Sequence, residues 1–365
     1  MFIKNSTKIL GIILAVILIL MLVAIFSIKA FLDSKQDNIK SSKNWNFNFD
    51  NLDIFNNSTN GSSALSNLDS MSVISAGETI SSPDDIQSIE NKFFALVDEK
   101  AGEFPELIEE KKLLVDKINK DYSIKLNACK FVCIFTDTEK PYIKYRIYSN
   151  VKNIKNPVKM RADEISLLSE NFYDNKGFSI NFNKTTLVFA FIVLPKSYSD
   201  LRFSTNACSG EIVQSNLSID ENLTLNSNAS KLNIFLQKVE ARNLIFSCDA
   251  GLNDFNIDEM NVKNKISFAT NAGKYNILIN KFFVVPEQIK LENNAGSLSL
   301  VSPSVKAFDI DADVSAAAVT VSHNERDDTF SSNFRLTENS KNLDEKNIFH
   351  LNLDVSAGKI TLAFE

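Results

Sequence analysis

Apolar and polar residues alternate along most of the chain beyond residue 120, and a small-residue corner interrupts the alternation at a steady interval. The corner reads Asn206-Ala207, Asn228-Ala229, Asp249-Ala250, Asn271-Ala272, Asn294-Ala295, Ser315-Ala316 and Ser356-Ala357. Successive alanines are 22, 21, 22, 23, 21 and 41 residues apart, the last step close to two periods. Six and four residues before each corner alanine stand Leu201/Phe203, Leu223/Leu225, Leu244/Phe246, Ile266/Phe268, Ile289/Leu291, Ile310/Ala312 and Leu351/Leu353. Five residues after it stand Ile212, Ile234, Phe255, Ile277, Leu300, Val321 and Leu362. Period-two alternation predicts strands with one buried face, so each unit reads as strand, corner, strand, bend, strand.

One such unit cannot bury its own apolar face. Stacked in register, its inward residues would lie about 4.8 Å from their equivalents in the next unit, forming continuous apolar ladders. The pattern therefore predicts a mainly β fold, a parallel β-solenoid (β-helix) of ~21–22-residue rungs. Alanine suits a sharp corner with little room inside, and the Asn/Asp/Ser column beside it predicts a side-chain hydrogen-bond ladder. An antiparallel sandwich would explain the alternation, but not seven corners with matching residues at fixed offsets. Asn127-Ala128, with Leu126 before and Phe131 after, reads as a degenerate first rung.

Upstream the pattern changes character. Residues 9–28 are 20 residues without a charge, long enough to span a bilayer, so residues 1–30 are expected to form an uncleaved transmembrane signal anchor. A short tail before a first apolar run acts as an export signal, which places the bulk of the chain outside a single-pass cell membrane. Lys29, Lys35, Lys40 and Lys43 follow the run, and the positive-inside count does not support that orientation. Residues 31–82 are rich in Asn, Ser and Asp and read as a solvated tether. Residues 83–120 open on Ser82-Pro83-Asp84-Asp85 and carry apolar residues at helical spacing on either side of Gly102 and Pro105. They predict an amphipathic helical pair capping the open end of the stack. Residues 121–365 form the solenoid domain, interrupted by a polar excursion at 322–348. Excursions from stacked units often bind, and this one is the first candidate for a recognition surface.

Composition narrows the function classes. With 365 residues and 44% hydrophobic content the chain can bury a large core. The net charge is -6 and no basic block is interleaved with aromatics, so no nucleic-acid partner is expected. Cys129, Cys133, Cys208 and Cys248 show no CxxC or zinc-ligand spacing and read as buried free thiols. Cys248 belongs to the inward column before its corner and Cys208 to the position after its corner, so stacking does not pair these two.

From Leu187 to Glu211 the chain carries a strand ending in Leu194-Pro195-Lys196, then Tyr198-x-x-Leu201, then rungs. Asn271-Ala272-Gly273, Asn294-Ala295-Gly296 and Ser356-Ala357-Gly358 close later rungs. These features, covering roughly Tyr122 to Glu365, resemble a bacterial family of candidate adhesins with β-strand repeats, a domain of unknown function. The resemblance implies a membrane-anchored, outward-facing module associated with cell-envelope stress signalling. It carries over no catalytic residue. The long tether and the helical segment depart from it.

Chemistry-bearing residues are few. Asp309, Asp311 and Asp313 alternate with Phe308, Ile310 and Ala312, which puts three carboxylates in a row on one outer strand face. A calcium loop would need glycine and glutamate where Val314 and Thr320 stand, so a solvated strand face is expected and no metal or cofactor. His323 and His350, the only histidines, fit no catalytic spacing. Three readings follow. The first is a non-catalytic recognition, adhesion or envelope-sensing module that contacts an envelope protein or the cell wall. The second is a carbohydrate-active β-helix enzyme using Asp311. The third is a passive assembly element that forms homo-oligomers through an uncapped last rung, residues 360–364.

Overall fold

The computed structural model describes residue 80 and residues 82–150, 157–168, 186–214, 216–303, 307–323, 326–338 and 348–364. All lie within the unit Asn56–Glu365. A helix, α1 (Pro83–Lys100), precedes β1 (Leu107–Leu114), β2 (Asp121–Asn127), β3 (Cys129–Thr136), β4 (Tyr142–Ser149), β5 (Val158–Met160), β6 (Glu164–Leu167) and β7 (Thr186–Pro195). Next come β8 (Ser197–Asn206), β9 (Ser209–Gln214), β10 (Leu217–Asn228), β11 (Lys231–Cys248), β12 (Leu252–Thr270), β13 (Lys274–Ile279), β14 (Gln288–Asn293) and β15 (Ser297–Ser302). The chain continues through β16 (Phe308–Val314), β17 (Ala318–His323), β18 (Arg326–Phe330), β19 (Phe334–Glu338), β20 (Phe349–Val355) and β21 (Lys359–Phe364).

All these strands belong to one continuous hydrogen-bonded sheet that folds over on itself at the corners. Alternation decides which side chains enter the interior. In β10 the residues Leu223 and Leu225 are buried, and in β14 Ile289 and Leu291, while their neighbours point outward. Parallel register then carries one inward column from layer to layer: Ile165, Ile124, Phe203, Leu225, Phe246, Phe268, Leu291, Leu353 and Ala312, with Phe334 beyond it across an antiparallel pair. Each fully buried Leu, Ile or Phe contributes roughly 1.5–3 kcal/mol, so such columns dominate stability.

The expected all-parallel solenoid does not describe this sheet, which is mixed. β4 runs antiparallel to both β1 and β7, and β5 runs antiparallel to β6. At the other end β19 is antiparallel to β16, and β18 to β17. The physical reason lies at the ends of the stack. A terminal parallel strand exposes unpaired amides and carbonyls, and the short links of β5 to β6 and of β17 to β18 let those pairs form only in the antiparallel sense.

Layer order also departs from chain order at both ends. β2 lies between β6 and β8, and β3 between β7 and β9. β20 lies between β14 and β16, and β21 between β15 and β17. The 41-residue step between Ala316 and Ala357 thus records an inserted layer, together with the β18–β19 hairpin outside it. β21 is paired on both edges, so residues 360–364 are not an uncapped rung.

The corners take their geometry from small side chains. Ala128, Ala207, Ala229 and Ala316 adopt φ of 46°, 53°, 49° and 53°, a left-handed conformation in which a larger or branched side chain is strained. Backbone bonds join neighbouring corners, as in Ala207 N–H to Asn228 O (2.9 Å), Ala272 to Asp249 (2.8 Å) and Ala295 to Asn271 (2.7 Å). Outside, the amide of Asn228 donates to Asn206 (3.1 Å), Asn271 to Asp249 (2.6 Å) and Asn294 to Asn271 (2.6 Å). Inside, fully buried Asn293 accepts from Gly296 N–H (2.8 Å) and donates to the carbonyls of Gly296 (3.0 Å) and Lys359 (2.8 Å). Gly296 is required there, because a Cβ would sit 2.0 Å from the Gly273 carbonyl oxygen.

The helical pair is also corrected. Ser82 caps α1 in a capping box with Asp85, with Pro83 in the first turn. The second predicted helix is instead β1, because its chain pairs with β4 and tertiary hydrogen bonding overrides helical spacing. α1 does not close the end of the stack. Its Ile89, Phe93, Phe94 and Val97 pack on the outward side of β3, β7 and β9, against Val132, Ile134, Phe189, Phe191 and Val193. This accounts for the unbroken apolar run in β7, a strand buried on both faces. Buried Glu90 fastens the helix, accepting from the Tyr142 hydroxyl (2.7 Å) and Lys144 Nζ (2.9 Å), with Lys112 Nζ at 3.9 Å. Burial opposes ionisation of Glu90, but the Tyr142 and Lys144 bonds and the two ammonium charges outweigh it and lower its pKa. Among the described residues no helix is long and apolar enough to cross a membrane; residues 1–30 and the tether up to residue 79 lie outside them.

Two stability outcomes follow. Asn293→Ala leaves three buried backbone groups without their partner and should cost about 2–3 kcal/mol in urea unfolding, whereas exposed Asn294→Ala should cost about 0.5 kcal/mol or less. Because the folded pKa of Glu90 is lowered, its contribution is present above the ordinary carboxylate range and lost as pH falls through the folded value. Glu90→Gln should therefore speed hydrogen exchange of α1 at pH 7, and the difference from wild type should shrink below about pH 4.

Candidate functional site

Within the polar excursion, residues 326–338 fold into a hairpin across the end of the stack. β18 and β19 are joined by Ser331, Ser332 and Asn333, so one strand extends each wall of the interior. Phe330 and Phe334 come from opposite walls and stack at 3.8 Å between ring centroids, with planes 13° apart. Their contact, with Leu336 beside Ile310, closes the apolar interior.

Outside that lid lies the carboxylate row of β16. Arg335 grips Asp309 with two bonds, Nε to Oδ1 (3.1 Å) and Nη2 to Oδ2 (2.7 Å), and Thr337 Oγ1 donates to Oδ1 (2.8 Å). His350 Nδ1 is 3.8 Å from Oδ2. The Arg335 fork is the leading cause that holds the Asp309 carboxyl below its ordinary range, against a smaller opposing effect of burial. Asp313 accepts from Asn333 Nδ2 (3.1 Å), whose own oxygen accepts from Val314 N–H (2.7 Å). Asp311 is exposed and stands opposite Arg335 in the register. Asp309 and Asp311 thus both face Arg335 while Asp313 meets Asn333; among the described residues no group of His, Cys, Asp and Glu is arranged to hold a metal ion.

His323 ends the inward column of β17. Its Nδ1 lies 2.7 Å from Glu338 Oε2 and its Nε2 3.9 Å from Asp328 Oδ2, with the ring edge-on to Phe308 at 5.3 Å. His323 and His350 therefore flank the two sides of the hairpin's attachment, one inside and one outside. Chemically the cluster is a clamp. Asp309 is engaged as an acceptor by Arg335 and Thr337, while Asp311 stays exposed.

Arg335, Thr337 and Asn333, which engage the aspartate row, were not singled out from sequence. The available signal was local: Phe334 and Leu336 alternate with Arg335 and Thr337 inside the excursion. The corner residues from Asn206 to Ala295 occupy successive layers. Ser356-Ala357 follows Asn294-Ala295, where Ala357 N–H donates to Asn294 O (2.6 Å), and Ser315-Ala316 lies beyond it.

No family model matches the chain, and no curated protein matches it in sequence. Solved structures similar to it include a candidate cell adhesion protein from Clostridium sporogenes, 14% identical, covering 70% of this chain and 100% of its own, at a TM-score of 0.32. A candidate adhesin from Bacteroides fragilis is 10% identical, covers 70% of this chain and 97% of its own, and scores 0.33. A candidate lipid binding protein from Parabacteroides distasonis is 13% identical, covers 70% and 96%, and scores 0.34. The likeness is coarse and brings no residue, ligand or activity with it.

The clamp has a measurable signature. Asp309→Asn should weaken the hold on β19 by about 0.5–1 kcal/mol, the range for a largely solvated ion pair, and raise amide exchange in residues 334–338 two- to five-fold. The lowered pKa of Asp309 means that wild type gains this same mobility only as pH falls below the ordinary aspartate range.

Proposed function

We propose that this chain is a membrane-anchored, outward-facing binding module that acts without catalysis, in adhesion or recognition at the cell envelope, and that the β18–β19 hairpin is its contact surface. The observation that carries the reading is the pairing of the hairpin. β18 bonds to β17 and β19 to β16, and among the described residues nothing pairs with their outer edges. The hairpin presents Arg326, Asp327, Thr329, Arg335 and Thr337 to solvent. Mixed charge along a free edge discourages strand addition by an identical copy while leaving donors and acceptors for a different partner. Support for the anchor comes from the uncharged apolar run at residues 9–28.

Photo-crosslinking in intact cells separates this reading from its competitors. Probes at Arg326 and Thr329 should yield a discrete adduct with an envelope protein or wall polymer, while probes at Arg242 and Lys263 on the lateral wall should not. Equal adducts at all four positions would reject the hairpin as the contact surface. No adduct at any of them would reject a recognition role.

A further inference from the structure

Layer order brings together two cysteines that the chain keeps far apart. Asn127-Ala128-Cys129 and Asn206-Ala207-Cys208 are the same corner in adjacent layers: Asn127 pairs with Asn206, Lys130 with Ser209, and Ala128 N–H donates to Asn206 O at 2.9 Å. Their sulfurs face each other at 3.5 Å across a separation of 79 residues. The position after the corner alanine is Ser230, Gly251, Gly273, Gly296, Ala317 or Gly358 in other layers, so thiols occupy it only where two such layers touch. Cys133 and Cys248 have no such neighbour; Cys133 lies between Ile192 and Ile212, and Cys248 between Ser227 and Thr270.

We infer that Cys129 and Cys208 are a disulfide-forming pair, a covalent staple between the β2–β3 layer and the β8–β9 layer. In-register parallel neighbours have Cα atoms about 4.8 Å apart, inside the range a disulfide tolerates. From 3.5 Å, each sulfur must move only about 0.7 Å to reach bonding distance. The staple would close a loop that holds β4 to β7, the segment inserted out of chain order, and tie it to the regular layers.

The chemistry needs a disulfide oxidant, RSSR. Cys208 thiolate attacks one sulfur, forming a mixed disulfide and expelling RS⁻, which takes the proton of Cys129. The Cys129 thiolate then attacks the Cys208 sulfur and expels the second RS⁻, which is protonated by solvent. The protein loses two electrons and two protons, and RSSR becomes two RSH. Roles follow from the surroundings. Burial opposes ionisation of Cys208, but the Cys129 thiol and the backbone groups of Cys129, Asn206 and Ala128 lower its pKa, whereas burial and then the Cys208 contact push Cys129 well above the usual thiol value. Both side chains are buried, so the exchange takes place during folding or when β9 opens from β3.

The full chain, purified reduced in detergent, would be unfolded in urea and refolded against oxidised and reduced glutathione, then alkylated under denaturing conditions. Reduced protein should alkylate at four thiols and refolded protein at two, Cys133 and Cys248, with a peptide linking Cys129 to Cys208. Oxidation should raise the thermal midpoint by about 5–10 °C. That rise should vanish in Cys129→Ser and in Cys208→Ser, and persist in a variant with serine at both 133 and 248. Four alkylated thiols after oxidative refolding, or links to Cys133 or Cys248, would overturn the inference. No partner enters this measurement, so its result stands apart from the adhesion reading.

Discussion

In-register parallel pairing at the corners is the constraint on which the rest of the structure depends. The bonds from Ala207 to Asn228 and from Ala295 to Asn271 set each layer directly over the next, and the inward column from Ile165 to Ala312 is their consequence. A slip of one residue would send Leu225, Phe246 and Phe268 outward and bring neighbours such as Thr224, Asn226, Ser247 and Ser267 in. The pinning must therefore be firm, and side chains add to it at several corners. Buried Asn293 locks the turn from inside, while the Asn206–Asn228 and Asn271–Asn294 bonds lock it from outside.

A parallel stack pairs its middle easily and its ends poorly, and most irregular features of the chain answer that problem. At one end β4 and β1 turn back antiparallel and α1 lies over the outward side of β7. At the other, β18 and β19 close the interior with the Phe330–Phe334 stack and the Asp309–Arg335 fork. β20 and β21 lie between layers that precede them in the chain. β16 and β17 reach β14 and β15 only through β20 and β21, so this end depends on long-range pairing.

Legibility in the sequence followed the range of the interaction. The alternation placed Leu201, Phe203, Ile289 and Leu291 on the buried side because burial on a strand is set by parity, a local property. The second predicted helix failed because residues 107–114 carry both helical spacing and a charged edge, and β4 decides between them. The aspartate row was visible in the sequence, yet its chemistry was not. That Asp309 is held by Arg335 and Thr337 depends on a hairpin folding back over it.

What the amino-acid sequence determined by itself is local: period-two burial, small residues at tight corners, a polar excursion and an uncharged apolar run near the start. Only the tertiary structure decided layer order, strand sense at the two ends and which outward groups meet. Parity and corner chemistry are the same whichever layer a strand joins. Choosing the neighbour takes competition among distant edges, and that competition put β2 beside β8, β20 beside β14, and Cys129 against Cys208.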